Sequence, residues 1–217
     1  MDRIPEPELM DDHQQAKAYA DADYSDPHNR LVELVGQRLG NLGEHIADLG
    51  CGPADVTVRL AHAHQTAQVD GYDGSAAMLA LGRQSVEEAG LSQRVTLKKA
   101  YLPFETLPGK TYDTIVSSSL LHHLADPAVL WETIRALGRK GTRVFVWDLR
   151  RPPCSEDAEQ MVQEHAAEAP KVLRRDFYNS LLAAYEPAEI EAQLAHAGLP
   201  LEVEVASDRH VIVWGYL

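Results

Sequence analysis

Cysteine is scarce in this chain. Only Cys51 and Cys154 are present, too few for a disulfide framework. No Cys/His cluster has the spacing of a structural zinc site, so no metal is expected. The opening stretch, MDRIPEPELMDDHQQ, has no basic region and no apolar one, so no secretory signal is expected. No apolar run approaches the roughly 18 residues that a membrane span needs. These absences point to a reducing, cytoplasmic setting without a membrane partner. Positive charge is short as well: 20 Lys and Arg stand against 33 Asp and Glu, a formal net charge of −13. Such a surface repels phosphate backbones, which argues against nucleic acid as a partner. Internal repeats and low-complexity tracts are missing too. Whether the chain forms a homodimer is left open.

What is present reads as one globular domain. The 217 residues are 45% hydrophobic and 24% charged, enough to bury a full core. Short apolar runs predict strands over His45–Leu49, Gln68–Tyr72, Arg94–Lys98, Tyr112–Ser117 and Thr142–Leu149. Helical periodicity lies between most of them, over Ala54–His64, over Ser75–Ala89 with Ser75 as N-cap, and from Asp126-Pro127 to Gly138. This alternation means βαβ units around a parallel sheet, with right-handed crossovers. From Arg151 to about Tyr185 the pattern is helical, and Pro187–Ala197 is a further helix. Two strands follow, Leu201–Ala206 and His210–Tyr216, joined by the short polar SDRH as in a hairpin. Ahead of the sheet, His13–Tyr24 and Pro27–Leu39 read as helices.

The stretch IADLGCGPADV, Ile46 to Val56, carries the chemistry. Asp48, Gly50 and Gly52 stand where a strand turns into a helix. Glycine suits a sharp turn that brings backbone close to a ligand. The helix beyond offers free N–H groups and the positive end of its dipole. Asp73 closes the next strand, 21 residues past Gly52, the spacing at which an acid meets ribose hydroxyls. A phosphate loop would need Gly-Lys-Ser/Thr, which is absent. A dinucleotide loop would want a third glycine where Asp55 stands, and a carboxylate repels pyrophosphate. A cofactor with adenosine and no phosphate fits, because Asp48 can then face a cationic amino-acid group.

Three motifs carry a family resemblance. IADLGCGPADVTVRLA, GYDGSAAMLALGR and TYDTIVSSSLLHHLADP resemble, in order and spacing, motifs of class I S-adenosylmethionine-dependent methyltransferases, particularly the small-molecule branch. The resemblance covers about residues 45–150. It implies S-adenosyl-L-methionine as methyl donor, S-adenosyl-L-homocysteine as product and a small-molecule acceptor. The implied fold class is α/β: a Rossmann-like three-layer sandwich whose mostly parallel seven-stranded sheet ends in an antiparallel hairpin. Residues 1–40 would form N-terminal lid helices, 41–150 the cofactor core, 151–185 a helical cap insert before strand six, and 186–217 the last helix and hairpin. Two departures stand out. Ala54 replaces the family's third glycine, and KKAYLPF after strand three lacks the usual acid.

The site expected from the resemblance is specific. Asp48, Gly50, Cys51, Gly52, Asp73 and Gly74 would hold the methionine tail and ribose. Met78 would face Ala100, Tyr101 and Leu102 across the adenine. Ser117 and Ser118 would line the cofactor or reaction chamber. Cys51 is expected to act by packing and backbone contact. Tyr19 and Tyr24 would close over the sulfonium, whose charge an aromatic face stabilises; anchoring an amphipathic helix is the other reading. Catalytic candidates are His122, Tyr19 and Tyr178. Adjacent residues on a helix point about 100° apart, so at most one of His122 and His123 is expected to face the site, and a scaffold role is favoured. Arg150, Arg151, Arg174, Arg175 and Tyr178 are candidates for binding an anionic substrate, against a plainer reading as solvated helix faces. An NAD(P) oxidoreductase and a non-catalytic, cofactor-binding partner subunit are the rival functions.

Overall fold

A computed structural model describes residues 1–6 and 11–217. Seven strands form one sheet: β1 (His45–Leu49), β2 (Gln68–Asp73), β3 (Val95–Lys99), β4 (Thr114–Ser118), β5 (Arg143–Leu149), β6 (Leu201–Val205) and β7 (His210–Tyr216). Their order is β3-β2-β1-β4-β5-β7-β6. The first five run parallel, and β7 slots antiparallel between β5 and β6. The fold is thus the expected Rossmann-like sandwich. The order of the parallel strands reverses between β1 and β4, the crevice in which open α/β sheets seat ligands.

Alternation along the strands builds two cores. Ile46, Val69, Val116 and Phe145 point to one face and pack under α2 (Ser25–Leu39), α3 (Asp55–Ala63) and α4 (Ala76–Glu88). Ala47, Ile115, Val144 and Val146 point to the other, under α5 (Ala128–Leu137) and α8 (Pro187–Ala197). Period-two side-chain direction dictates this split. A third, smaller cluster joins Leu149 to α6 (Ser155–Ala166) and α7 (Lys171–Ala183) through Ala158, Val162, Leu181 and Leu182. These two helices are the insert before strand six.

Local signals set most boundaries. Ser75 caps α4 by accepting from the Met78 N–H at 3.1 Å. Glu186 and Glu189 form a reciprocal capping box at the start of α8. Most other boundaries shift by a residue, and three shifts are larger. Helix α1 (His13–Ala20) ends before Tyr24, because Asp23 Oδ1 accepts from the Ser25 N–H at 2.9 Å and starts α2 there. Helix α2 therefore begins two residues before Pro27, and Pro27 sits in its first turn, where no N–H is needed. Strand β4 begins at Thr114; Tyr112 is instead buried below it, its hydroxyl donating to Asp70 at 2.7 Å.

Candidate functional site

Loop 50–54 leaves β1 at the carboxyl edge of the sheet. The Gly50 and Cys51 N–H groups both donate to Tyr72 O, at 2.8 and 3.0 Å. Gly50 has φ +73, and a Cβ there would stand 2.9 Å from Leu120 Cβ. Glycine at this position lets the β4 exit loop close over β1. At Gly52, φ is +50 and a Cβ would meet nothing within 4 Å. That Cβ would stand in the cavity this loop helps to wall.

Ala54 adopts the same left-handed conformation, φ 66. An L-residue there costs about 1–2 kcal/mol. The alanine therefore holds, under strain, a backbone conformation that glycine adopts freely. Ser119, on the β4 exit loop, is also left-handed at φ 54. Both strained residues lie beside the glycine loop, and such strain concentrates at functional sites.

Two carboxylates face the loop. Asp48 is 1% exposed. The Thr57 hydroxyl donates to its Oδ2 at 2.6 Å. Its Oδ1 has no partner among the described residues. Burial pushes this acid up to about 6, with the Asp73 charge adding to the rise. Asp73 accepts from the Gly52 N–H and from the Ser75 N–H, each at 2.8 Å. Burial raises its pKa too, against those two bonds. Each Asp73 oxygen keeps a lone pair for a further donor.

A cavity of about 1040 Å³ opens over these groups. Asp48, Gly50, Cys51, Gly52, Asp73, Gly74, Met78, Ala100 and Leu102 all line it. So do Ser118, Tyr19 and Tyr24. The Tyr19 and Tyr24 rings stack at 4.8 Å, and Tyr24 continues onto His28 at 5.6 Å. Burial holds both phenols protonated, Tyr24 pushed up to about 12. Burial also raises the Cys51 thiol well above its ordinary range, in keeping with a packed residue.

Other expected residues lie elsewhere. Ser117 is fully buried and donates to Leu49 O at 2.8 Å, outside the cavity wall. Tyr101 points outward, 53% exposed. Arg150 is outside the wall, in a bridge with Tyr185. Arg151 is a structural staple. Its buried guanidinium donates to Ala184 O, Met1 O and Glu189 Oε1 at 2.9, 3.1 and 2.9 Å. Arg174 and Arg175 do not line the cavity, and Tyr178 packs against the third cluster. The wall takes Leu173, Asp176, Phe177 and Ser180 from α7 instead, the stripe at three- and four-residue spacing. Near this insert the wall carries Glu164, Glu168 and Asp176 against Arg209. The anionic-substrate expectation rested on the arginines and loses that support.

Both His122 and His123 line the cavity, contrary to the one-face expectation. They sit on a 3₁₀ turn, Leu121–His123, and their rings lie 4.2 Å apart. The α-helical angle between neighbours does not apply to so short and tight a turn. Asp148, near the end of β5, holds His122: Oδ1 lies 2.6 Å from Nδ1. Burial alone would lower this imidazole, and the Asp148 charge reverses the direction to a raised pKa. Asp148 itself is held below the usual carboxylate range by His122 and the Leu121 N–H, against its burial. Sequence reasoning missed Asp148 although, like Asp73, it is an acid near the carboxyl end of a strand. Thr57, in the first turn of the helix that follows the loop, was also readable. Glu6, Ser119 and Asp176 carried no such mark.

Comparison with known proteins accords with this geometry. Residues 46–141 match the family model described as a methyltransferase domain. A ubiquinone biosynthesis O-methyltransferase of Pseudomonas aeruginosa (strain LESB58) is 30% identical over 122 residues, covering 56% of this chain and 51% of that protein. The chain spans about half the length of such curated relatives. An O-methyltransferase family protein of Burkholderia thailandensis shares the fold with a TM-score of 0.73 at 16% identity, covering 94% of this chain and 60% of that one. A SAM-dependent methyltransferase of Aquifex aeolicus does so with a TM-score of 0.68 at 19% identity, covering 94% and 97%. Residues 46–141 are thus similar to a methyltransferase domain, and the chain shares its fold with solved methyltransferases.

Proposed function

We propose that this protein transfers a methyl group from S-adenosyl-L-methionine to a small-molecule acceptor. The observation that carries the reading is the unpartnered, buried Asp48 Oδ1 beside the Gly50–Gly52 loop. A carboxylate kept in that position calls for a cationic partner, and a methionine-type ammonium supplies one. A pyrophosphate would meet only repulsion there, which disfavours NAD(P).

The bound methyl donor supplies a methyl group already activated by its sulfonium. The chain's part is to bind, orient and exclude water. Asp73 would accept from the ribose hydroxyls while holding the Gly52 N–H. Met78, Ala100 and Leu102 offer an apolar seat for adenine. The stacked Tyr19 and Tyr24 rings offer π faces to a sulfonium. Helices α6 and α7 roof the far end and shut out water. Fixing an in-line geometry in a dry cavity supplies much of the rate of such a displacement.

Residues 1–40 are read as a lid, 41–150 as the cofactor core, 151–185 as the acceptor cap and 186–217 as the closing helix and hairpin. An oxygen acceptor is proposed because proteins similar to this chain are O-methyltransferases. No helix among the described residues is long and apolar enough to cross a membrane. A cytoplasmic place is proposed on the two unpaired cysteines.

Calorimetric titration with S-adenosylhomocysteine and, separately, with NAD tests the reading. Binding of the first alone is expected. Tight binding of NAD without the first would overturn it, and cofactor binding with no turnover on any acceptor would favour a partner subunit.

A further inference from the structure

The N-terminal segment brings an acid to the two histidines. Arg3 pins this segment beside them: its guanidinium donates to His122 O at 2.8 Å and to Leu124 O at 3.1 Å. The Ile4 N–H adds a bond to Leu182 O at 3.0 Å. Glu6 follows, with its carboxylate largely buried. Its Oε1 lies 3.6 Å from His122 Nε2 and 3.3 Å from His123 Nδ1. The Ser180 hydroxyl donates to the same oxygen at 2.9 Å.

We infer that Glu6, His122 and His123 form a binding site for a divalent transition-metal ion, zinc or a first-row neighbour. Four tetrahedral ligands at about 2.0–2.1 Å from a metal stand roughly 3.3 Å from one another. The two Glu6 separations match that edge, and all three ligand atoms lie within 4.8 Å of each other. Two imidazoles and one carboxylate make a donor set suited to zinc.

A second feature supports the assignment. Asp148 Oδ1 accepts at His122 Nδ1 and leaves Nε2 directed at Glu6. A carboxylate behind a ligating histidine fixes its tautomer and raises its basicity, the usual outer shell of a metal-bound imidazole. Asp148 is in turn held by the Leu121 and Leu149 N–H groups, each at 2.8 Å. The sequence showed no metal spacing because one ligand comes from the far N-terminus and two from the β4 exit loop.

Three protein ligands leave a fourth position, the pattern of sites that bind an exogenous ligand. His122 and His123 line the cavity, so that position faces the space assigned to the acceptor. Resting on the methyl-transfer reading, the ion would hold an acceptor oxygen there. Cation binding itself does not depend on that reading.

The test uses the full, untagged chain, stripped with a chelator and dialysed. Zinc chloride is titrated by calorimetry without any methyl donor, and metal content is measured by mass spectrometry. One zinc per chain is expected. Glu6→Gln and His123→Asn should each weaken binding by at least tenfold with circular dichroism unchanged, and Asp148→Asn by about tenfold. The control His165→Asn alters a separate surface cluster with Glu164 and Asp208 and should leave the affinity unchanged. No stoichiometric binding would overturn the site, as would binding insensitive to Glu6→Gln and His123→Asn, or binding lost in the control. Intact S-adenosylhomocysteine binding in a chain that takes no zinc would reject the metal site and spare the methyltransferase reading.

Discussion

Thr57 donates to one oxygen of Asp48 at 2.6 Å and leaves the other, buried, without a partner. The pair ties the glycine loop to the helix that follows it. It also keeps one charge underpaired in the free protein, and the free protein carries that cost.

Replacing Asp48 by Asn should therefore stabilise the protein and weaken cofactor binding. The acid titrates near 6 in the fold against 3.8 unpaired in water. Folding thus raises its pKa, and the folded state holds the proton more tightly. Its contribution to stability grows as pH falls through about 6 and is absent at pH 8. Asp48→Asn should gain up to about 3 kcal/mol at pH 8 and much less at pH 4. Urea unfolding of both proteins at the two pH values checks this. Equal differences at both would contradict it.

The same titration governs the ligand. A cationic tail favours ionised Asp48, so S-adenosylhomocysteine affinity should rise with pH to a plateau above about 6. Below that pH, binding should release protons, seen as a buffer-dependent heat. Asp48→Asn should flatten the profile and lose at least tenfold at pH 8, roughly 1.4 kcal/mol.

Ala54→Gly should not destabilise. The left-handed strain it relieves, about 1–2 kcal/mol, offsets the lost burial of one methyl, roughly 0.8 kcal/mol. Ala61→Gly, in the regular part of α3 and equally buried, should cost about 2 kcal/mol, from helix propensity and the same lost methyl. Thermal melts of the two variants separate the cases, and equal losses would argue against strain at Ala54.

Arg151→Met should cost about 2 kcal/mol of stability, because four carbonyl or carboxylate partners lose a buried donor. Cofactor affinity should stay as it was. On the cap, Phe177→Ala should change turnover, and Arg174→Ala should leave it unaltered, because only Phe177 lines the cavity. Kinetics that track Arg174 would restore the anionic-substrate reading.

The sheet was legible because each strand is short, apolar and bounded, and His45–Leu49 and His210–Tyr216 match to the residue. The cofactor end was legible because it is local: loop 50–54 and Asp73 take their places from one βαβ unit. The cap was not. Choosing the inward face of α7 depends on how α6 and the N-terminal segment pack on it, so Asp176 and Phe177 passed unnoticed beside Arg174 and Arg175, for which solvated helix faces were the plainer reading. The pairing of Asp148 with His122 joins two strand ends, and Glu6 reaches them from the far N-terminus. No periodicity in one segment encodes such a meeting. The alanine at position 54 is the converse case: its residue type suggests an ordinary backbone, yet the conformation is the one glycine would take.

The central claim is that the Asp48–Asp73 loop seats a phosphate-free adenosyl cofactor. Calorimetric titration of S-adenosylhomocysteine into the wild type, Asp48→Asn and Asp73→Asn at pH 8 tests it most directly. The account predicts one site per chain and a loss of at least tenfold in each variant, with folding intact. Unchanged affinity in both variants, or no binding by the wild type, would contradict it.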